Sequence, residues 1–175
     1  ARERTRALAH ANEQLEHASF TDPLTELRNR RYMASQVALD VAQVCRAYGG
    51  TSTQTNRDMI FMMIDIDHFK QINDTHGHGV GDLVLREYAQ IIRSVIRESD
   101  YAVRRGGEEF LLVARQTEAT QCAVLAQRLI ESVRAKAFVI DEAGTTLRST
   151  CSVGVSHLPF VAGEPGALDW THVVE

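Results

Sequence analysis

The chain has 175 residues, which is the size of one domain. Its 44% hydrophobic and 24% charged residues suffice for a core, so neither disorder nor a disulfide-stapled small fold is expected. The 19 Lys and Arg against 23 Asp and Glu give a net charge of −4. That balance argues against a nucleic-acid partner, because phosphate backbones require clustered cations.

The compartment is predicted from cysteine use and hydropathy. Cys45, Cys122 and Cys151 form no CxxC pair, and their helical or strand patterns favour buried thiols. The longest apolar run, 59–64, is too short to span a bilayer, and no signal-peptide pattern opens the chain. We therefore expect a cytoplasmic, reducing setting, and leave open whether the full-length protein is tethered to a membrane.

The first 19 residues predict a helix. Leu8 and Leu15 stand seven positions apart, and an alanine follows each of them three positions later. This spacing is typical of a coiled-coil seam, although a frayed surface helix has the same pattern over so short a stretch. The expected organisation is a signalling helix over 1–19, entering from an upstream sensory domain, and a globular domain over 20–175.

After Asp22-Pro23 interrupts the first helix, helical and strand patterns alternate. Helices are predicted over 29–48, 68–74, 81–98 and 118–135 and from about 166, strands over 59–66, 101–104, 109–114 and 149–155, and turns at 77–79, 106–107 and 141–144. From 59 to 155 the order is strand, helix, hairpin, helix, strand. This is a βαββαβ arrangement, so the fold class expected is α/β (α+β) with a central antiparallel sheet flanked by helices.

This topology predicts that distant carboxylates meet. Right-handed crossovers place strand 59–66 beside strand 109–114 in the centre of the sheet, so Asp65 should lie next to Glu108 and Glu109. Three carboxylates in one place are unfavourable unless a cation neutralises them. Mg²⁺ suits such a place, because it binds one or two carboxylates together with phosphate oxygens. The alternative is that both glutamates are only exposed hairpin residues.

Four motifs resemble those of the GGDEF family of diguanylate cyclases, in its GGEEF variant: GGEEF at 106–110, DIDHFK at 65–70, NDTHGHGVGD at 73–82 and DPLTELRNRR at 22–31. The resemblance implies a palm-like, nucleotidyl-cyclase-like fold over 20–175. It implies a homodimeric enzyme that condenses two GTP into cyclic di-GMP and releases two pyrophosphates. In DPLTELRNRR, Glu26 stands where the family usually has glycine. The chain also ends before the last helix and strand of the family, so the C-terminal end is expected to be incomplete.

The resemblance also implies roles for the acidic cluster. Asp65, Glu108 and the carbonyl of Ile66 would bind Mg²⁺, with Mn²⁺ as an alternative. Glu109 would bind the metal or activate the attacking 3′-hydroxyl. Asp65, Glu108 and Glu109 are therefore the predicted catalytic residues. Arg104, two residues before Gly106, is a weaker candidate.

The substrate residues implied by the resemblance lie between 69 and 82. Asn73 and Asp82 would bind guanine, whose N1–H and N2–H₂ groups a carboxylate accepts together. Phe69 and Lys70 would line the phosphate pocket through main-chain N–H groups and charge. His78 matches a Gly-His element of the family, so the His76-Gly-His78 spacing indicates a turn rather than a zinc site.

The segment Arg97-Glu98-Ser99-Asp100 resembles the RxxD inhibitory site of the family, where cyclic di-GMP, the product, binds. Arg97 and Asp100 would contact it, and Arg128 would supply a second arginine. Taken alone, this spacing is also typical of a helix-end ion pair. Two alternatives to the cyclase stay open: a catalytically silent sensor of cyclic di-GMP or GTP, and another palm-like enzyme such as an adenylyl cyclase or polymerase.

Overall fold

A computed structural model describes residues 19–50 and 56–174. Residues 1–18 of the predicted signalling helix lie outside the described residues. The helices are α1 (Arg30–Gly49), α2 (Phe69–His76), α3 (His78–Val95), α4 (Cys122–Ala135) and α5 (Thr171–Val174), with a 3-10 turn over Ala119–Gln121. The strands are β1 (Arg28–Asn29), β2 (Met59–Ile66), β3 (Tyr101–Gly106), β4 (Glu109–Ala114), β5 (Phe138–Val139), β6 (Thr146–Leu147) and β7 (Cys151–Leu158).

Five strands form one sheet in the order β1-β3-β4-β2-β7. β2 is antiparallel to both β4 and β7, and β3 and β4 form a hairpin. β5 and β6 pair separately in a small hairpin. The predicted βαββαβ order, and the predicted pairing of the first and third of these strands, are therefore confirmed.

Helices cover both faces of the sheet. Alternate residues of β2, such as Ile60 and Ile64, pack in a core with α3 and α4, whereas Phe61 packs in a second core with Met33 and Val37 of α1. A strand that is buried on both faces is expected to be apolar along most of its length, as β2 is. Asp65 interrupts this apolar run one residue before the end of β2.

The α2–α3 junction is tighter than predicted. The expected turn over 77–79 and helix start at 81 are wrong, because α3 begins at His78 and only Gly77, with φ of 85°, separates the two helices. A Cβ at Gly81 would lie 1.9 Å from Oδ1 of Asn73, so a larger residue there would displace the Asn73 side chain. This close approach of the two helices outweighs the low helix propensity of a glycine-rich segment.

Other boundaries also differ from the predictions. α3 ends at Val95 rather than at 98, so Arg97 lies in the following loop, and β7 runs three residues further than predicted, to Leu158. The helix expected from 166 is limited to Thr171–Val174. Among the described residues, no helix combines the length and the apolar character that a membrane span requires.

Candidate active site

The acidic cluster lies where β2 and β4 meet. Asp65 is directly opposite Glu109 in the antiparallel pairing, and Glu108 precedes Glu109 in the turn. Burial raises the pKa of Asp65 above its ordinary value, and the negative charges of Glu108, Glu109 and Asp67 raise it further. The predicted meeting of these carboxylates is confirmed, while their roles stay predictions.

The cluster has the ligand type and charge that suit Mg²⁺. The pKa of Asp65 is raised first by burial and then by repulsion from its acidic neighbours, and a cation bound at Asp65 would offset both effects. Across 19–50 and 56–174, however, no three His, Cys, Asp or Glu side chains are close enough together to hold a metal ion. The cluster therefore fits a cation that takes few protein ligands and completes its shell with water and phosphate.

Asp67, two residues after Asp65, has the opposite environment. Its carboxylate accepts hydrogen bonds from Ser152 Oγ and Thr150 Oγ1, both at 2.6 Å. These bonds lower the pKa of Asp67, the bond from Ser152 most. Asp67 is thus a local structural acceptor, and it joins the end of β2 to the start of β7.

Arg104 organises the glycine turn that presents the glutamates. Its Nε and Nη2 donate to the carbonyl oxygen of Gly107 at 3.2 and 2.9 Å, and its Nη1 lies 3.3 Å from Asp22. Gly106 and Gly107 have φ of 155° and 49°, conformations that an L side chain would strain. Arg104 therefore positions the turn rather than joining the acidic cluster.

The turn that begins at Asp22 is joined to this arginine. Asp22 accepts from the N–H and the hydroxyl of Thr25 at 2.9 and 2.6 Å. Burial raises the pKa of Asp22, but these bonds and Arg104 outweigh burial, so the pKa lies below its ordinary value. Glu26 has φ of 57°, which explains why glycine suits this position, and it lies 3.7 Å from Arg93. Sequence reasoning identified the turn but missed its link to Arg104.

The predicted substrate residues lie around the α2–α3 junction. The Asn73 side chain lies against Gly81, and Asp82 is the next residue of α3; Asn73 and Asp82 are both half-buried. Lys70 and His78 are exposed. Phe69 is only 8% exposed and packs in the core.

The predicted inhibitory residues come together. Arg97, Asp100 and Arg128 line one pocket, together with Thr117, Gln121 and Val124 among others. Asp100 accepts from the main-chain N–H of Arg97 at 3.0 Å and from that of Arg115 at 3.1 Å. None of the ion pairs among the described residues joins Arg97 to Asp100, so the helix-end ion pair is not what the structure has. Arg128 donates to the carbonyl of Val95.

Comparison with protein families and curated proteins gives consistent matches. A family model described as "Diguanylate cyclase, GGDEF domain" matches residues 19–168. The chain is 37% identical over 154 residues to diguanylate cyclase A of Treponema denticola, covering 88% of the chain and 40% of that protein. It is 36% identical over 169 residues to the response regulator PleD of Caulobacter vibrioides, covering 95% of the chain and 36% of that protein. The chain thus spans well under half the length of these relatives.

Solved structures share the fold. The coiled coil and GGDEF domain of DgcB from Caulobacter crescentus, in complex with c-di-GMP, matches with a TM-score of 0.77 at 27% identity, over 89% of this chain and 78% of that one. The diguanylate cyclase SiaD of Pseudomonas aeruginosa, in complex with its activator SiaC, matches with a TM-score of 0.73 at 32% identity, over 98% and 60%. Both likenesses extend over most of this chain.

Proposed function

Because the chain belongs to the GGDEF-domain diguanylate cyclase family, we propose that it condenses two GTP into cyclic di-GMP and releases two pyrophosphates. One observation carries the proposal: Asp65, at the end of the central strand, lies opposite Glu109 and close to Glu108. A structural role for these carboxylates would leave their mutual repulsion without compensation.

The proposed metal ligands are Asp65, Glu108 and the main-chain carbonyl of Ile66, with Glu109 beside them as the proposed base. The pKa of Asp65, raised by burial and then by the neighbouring negative charges, supports this assignment, because a bound cation would stabilise the ionised carboxylate. When bound, Mg²⁺ or Mn²⁺ would neutralise charge on the GTP phosphates and make the α-phosphate a better electrophile.

The residues of the chain would bind GTP, orient it and deprotonate its 3′-hydroxyl. Glu109, exposed at the turn, would accept the proton of the 3′-hydroxyl. The 3′-oxygen then forms a bond to the α-phosphorus of a second GTP, the α–β phosphoanhydride bond breaks, and pyrophosphate leaves. Repetition in the other direction closes the ring. Since each domain would hold one GTP, a homodimer supplies both halves of the site.

Guanine would be bound by Asn73 and Asp82. The closeness of α2 and α3 supports this, because the Asn73 side chain lies against Gly81, the residue before Asp82, and both Asn73 and Asp82 are half-buried. A carboxylate accepts both N1–H and N2–H₂ of guanine, whereas adenine would leave it poorly paired. Phosphates would be bound by Lys70 and by main-chain N–H groups at the start of α2, with His78 at the junction.

Product inhibition would act at the pocket of Arg97, Asp100 and Arg128. Two arginines can bind phosphates or guanine edges, and a carboxylate can accept from guanine N–H groups. The same pocket favours a second candidate function, a catalytically silent sensor of cyclic di-GMP, because it does not depend on the acidic cluster.

Upstream, a signalling helix over 1–19 would set the orientation of two domains; the coiled coil named with the DgcB domain supports this.

The test incubates the full-length protein with GTP and Mg²⁺ and identifies the product by mass. We expect cyclic di-GMP and pyrophosphate, none of either after chelation, and a strong preference for GTP over ATP. If the protein binds cyclic di-GMP but forms none, the sensor function replaces the cyclase. Equal use of ATP would contradict the guanine assignment.

A further inference from the structure

A buried carboxylate on α1 has no role in the proposed chemistry. Asp40 is 4% exposed, on the helix face that packs against the sheet. It accepts from the hydroxyl of Tyr101 at 2.9 Å and from Nε2 of Gln36 at 3.0 Å, and Nη1 of Arg115 lies 3.5 Å away. A buried negative charge requires a cation and hydrogen-bond donors, and Arg115 is the cation paired with it here.

Arg115 also holds the loop that contains the predicted inhibitory residues. Its Nε donates to the carbonyl of Ser99 at 2.5 Å, and its main-chain N–H donates to Oδ1 of Asp100 at 3.1 Å. Its guanidinium lies 5.6 Å from the centre of the Tyr101 ring, at the start of β3. One residue therefore contacts the loop backbone, the Asp100 carboxylate and the buried charge on α1.

From these contacts we propose that Arg115, anchored by Asp40, is a positioning residue for the ligand pocket of Arg97, Asp100 and Arg128. The inference rests on the proposed inhibitory site and names an anchor for it outside the RxxD segment. The ligand class is a cyclic dinucleotide, whose phosphates and guanine edges suit two arginines and a carboxylate. Without the Arg115 side chain, the loop would lose the bond at Ser99, whereas Asp100 would keep the main-chain N–H of residue 115, so one of the two contacts that position the loop would be lost.

The anchor also joins the pocket to α1. Asp40 lies on the helix that follows the Asp22 turn, so a displacement of α1 would move Arg115 and, with it, Ser99 and Asp100. Coupling of this kind is reciprocal, so a ligand in the pocket would stabilise the position of α1.

The test measures cyclic di-GMP affinity by titration calorimetry, together with kcat and KM for GTP and the melting temperature. In the full-length protein, Arg115→Gln is expected to weaken cyclic di-GMP binding about tenfold, the loss typical of a disordered binding loop, while KM for GTP changes less than about twofold. Arg46→Gln, which removes an exposed arginine of α1, is the control and should change nothing. Arg97→Ala, which removes an arginine of the pocket itself, gives the loss of cyclic di-GMP affinity with which Arg115→Gln is compared.

Two further variants test the proposal if Arg115→Gln does not fold properly. Asp40→Asn keeps the shape of the buried group and one acceptor oxygen, but it removes the charge paired with Arg115 and the second acceptor, and it should weaken cyclic di-GMP binding less than Arg115→Gln does. If the two residues act through each other, the double variant binds about as weakly as Arg115→Gln alone rather than showing the product of both effects.

The outcomes separate this inference from the proposed function. Should Arg97→Ala weaken binding while Arg115→Gln matches Arg46→Gln, the positioning role is overturned and the inhibitory site stands. A lower melting temperature for Arg115→Gln at unchanged affinity overturns it as well, because the residue would then be structural only. If the wild-type protein binds no cyclic di-GMP, the inhibitory site and this inference are both contradicted.

Discussion

The acidic residues at the two ends of the β3–β4 hairpin lie in opposite electrostatic environments. At the turn end, Glu108 and Glu109 lie with Asp65, whose pKa is raised by burial and by these neighbours. At the open end, Asp100 accepts from two main-chain N–H groups. The acidic residues at the turn end lack a compensating positive charge, so this end suits a cation. At the open end, the Asp100 carboxylate is already oriented by main-chain N–H groups, so this end suits a ligand that brings N–H donors of its own.

Each end is anchored by its own arginine. Arg104 joins the turn to Asp22 at 3.3 Å, and Arg115 joins the open end to Asp40 at 3.5 Å. Because both partners precede β2 in the chain, the N-terminal part of the domain contacts the turn end and the open end separately. The two ends can therefore be disturbed one at a time.

The largest effect is expected at the turn end. Asp65→Asn or Glu108→Gln removes a charge that the proposed cation requires, and turnover should fall by about 1000-fold or more. Initial rates of cyclic di-GMP formation measure this. Binding of cyclic di-GMP at the open end should stay near wild type, and full activity in either variant would contradict the metal assignment.

At the open end, Arg97→Ala should relieve product inhibition. Losing an arginine that binds phosphate or guanine is expected to weaken cyclic di-GMP binding by about 10- to 100-fold. Progress curves would then stay linear to higher product concentrations than in wild type. Curves that bend at the same product concentration would mean that this pocket does not inhibit.

A smaller loss of turnover is expected when the anchor of the turn is removed. Arg104→Ala deletes both bonds to the carbonyl of Gly107, so the glutamates would be held less accurately, and kcat should fall about tenfold. Arg86→Ala, at an exposed position of α3, serves as the control. An unchanged kcat would show that the glycines alone fix the turn.

The smallest effect concerns stability without metal. Since the pKa of Asp65 is raised in the folded protein, the folded state binds its proton more tightly than the unfolded chain does, and stability falls as the pH rises through this raised pKa. Asp65→Asn removes that dependence and should raise the metal-free melting temperature at neutral pH by about 2 °C. Calorimetry against pH measures it; a lower melting temperature would mean that Asp65 stabilises the fold.

The sequence allowed the long-range meeting of Asp65 and Glu109 to be predicted, because strand order and crossover handedness leave few topologies. The anchors could not be predicted in this way. Asp40 shares the inward face of α1 with Met33 and Val37, and an aspartate there was the available signal of a buried polar contact. Its partner Arg115 is far away in the chain, however, and no local pattern identifies it.

Short or glycine-dependent features also escaped prediction. β1 has two residues and no periodicity, and its parallel pairing with β3 depends on the chain entering at the Asp22 turn. The start of α3 at His78 was missed because Gly79 and Gly81 indicate a turn by propensity, whereas contact between the helices at Asn73 decides the matter.

The most direct test of the central claim compares the wild-type full-length protein with Glu108→Gln in GTP and Mg²⁺, with products identified by mass. We expect cyclic di-GMP and pyrophosphate from the wild type, none above background from the variant, and equal cyclic di-GMP binding by both. Cyclic di-GMP formed at similar rates by both proteins, or by neither, would contradict it.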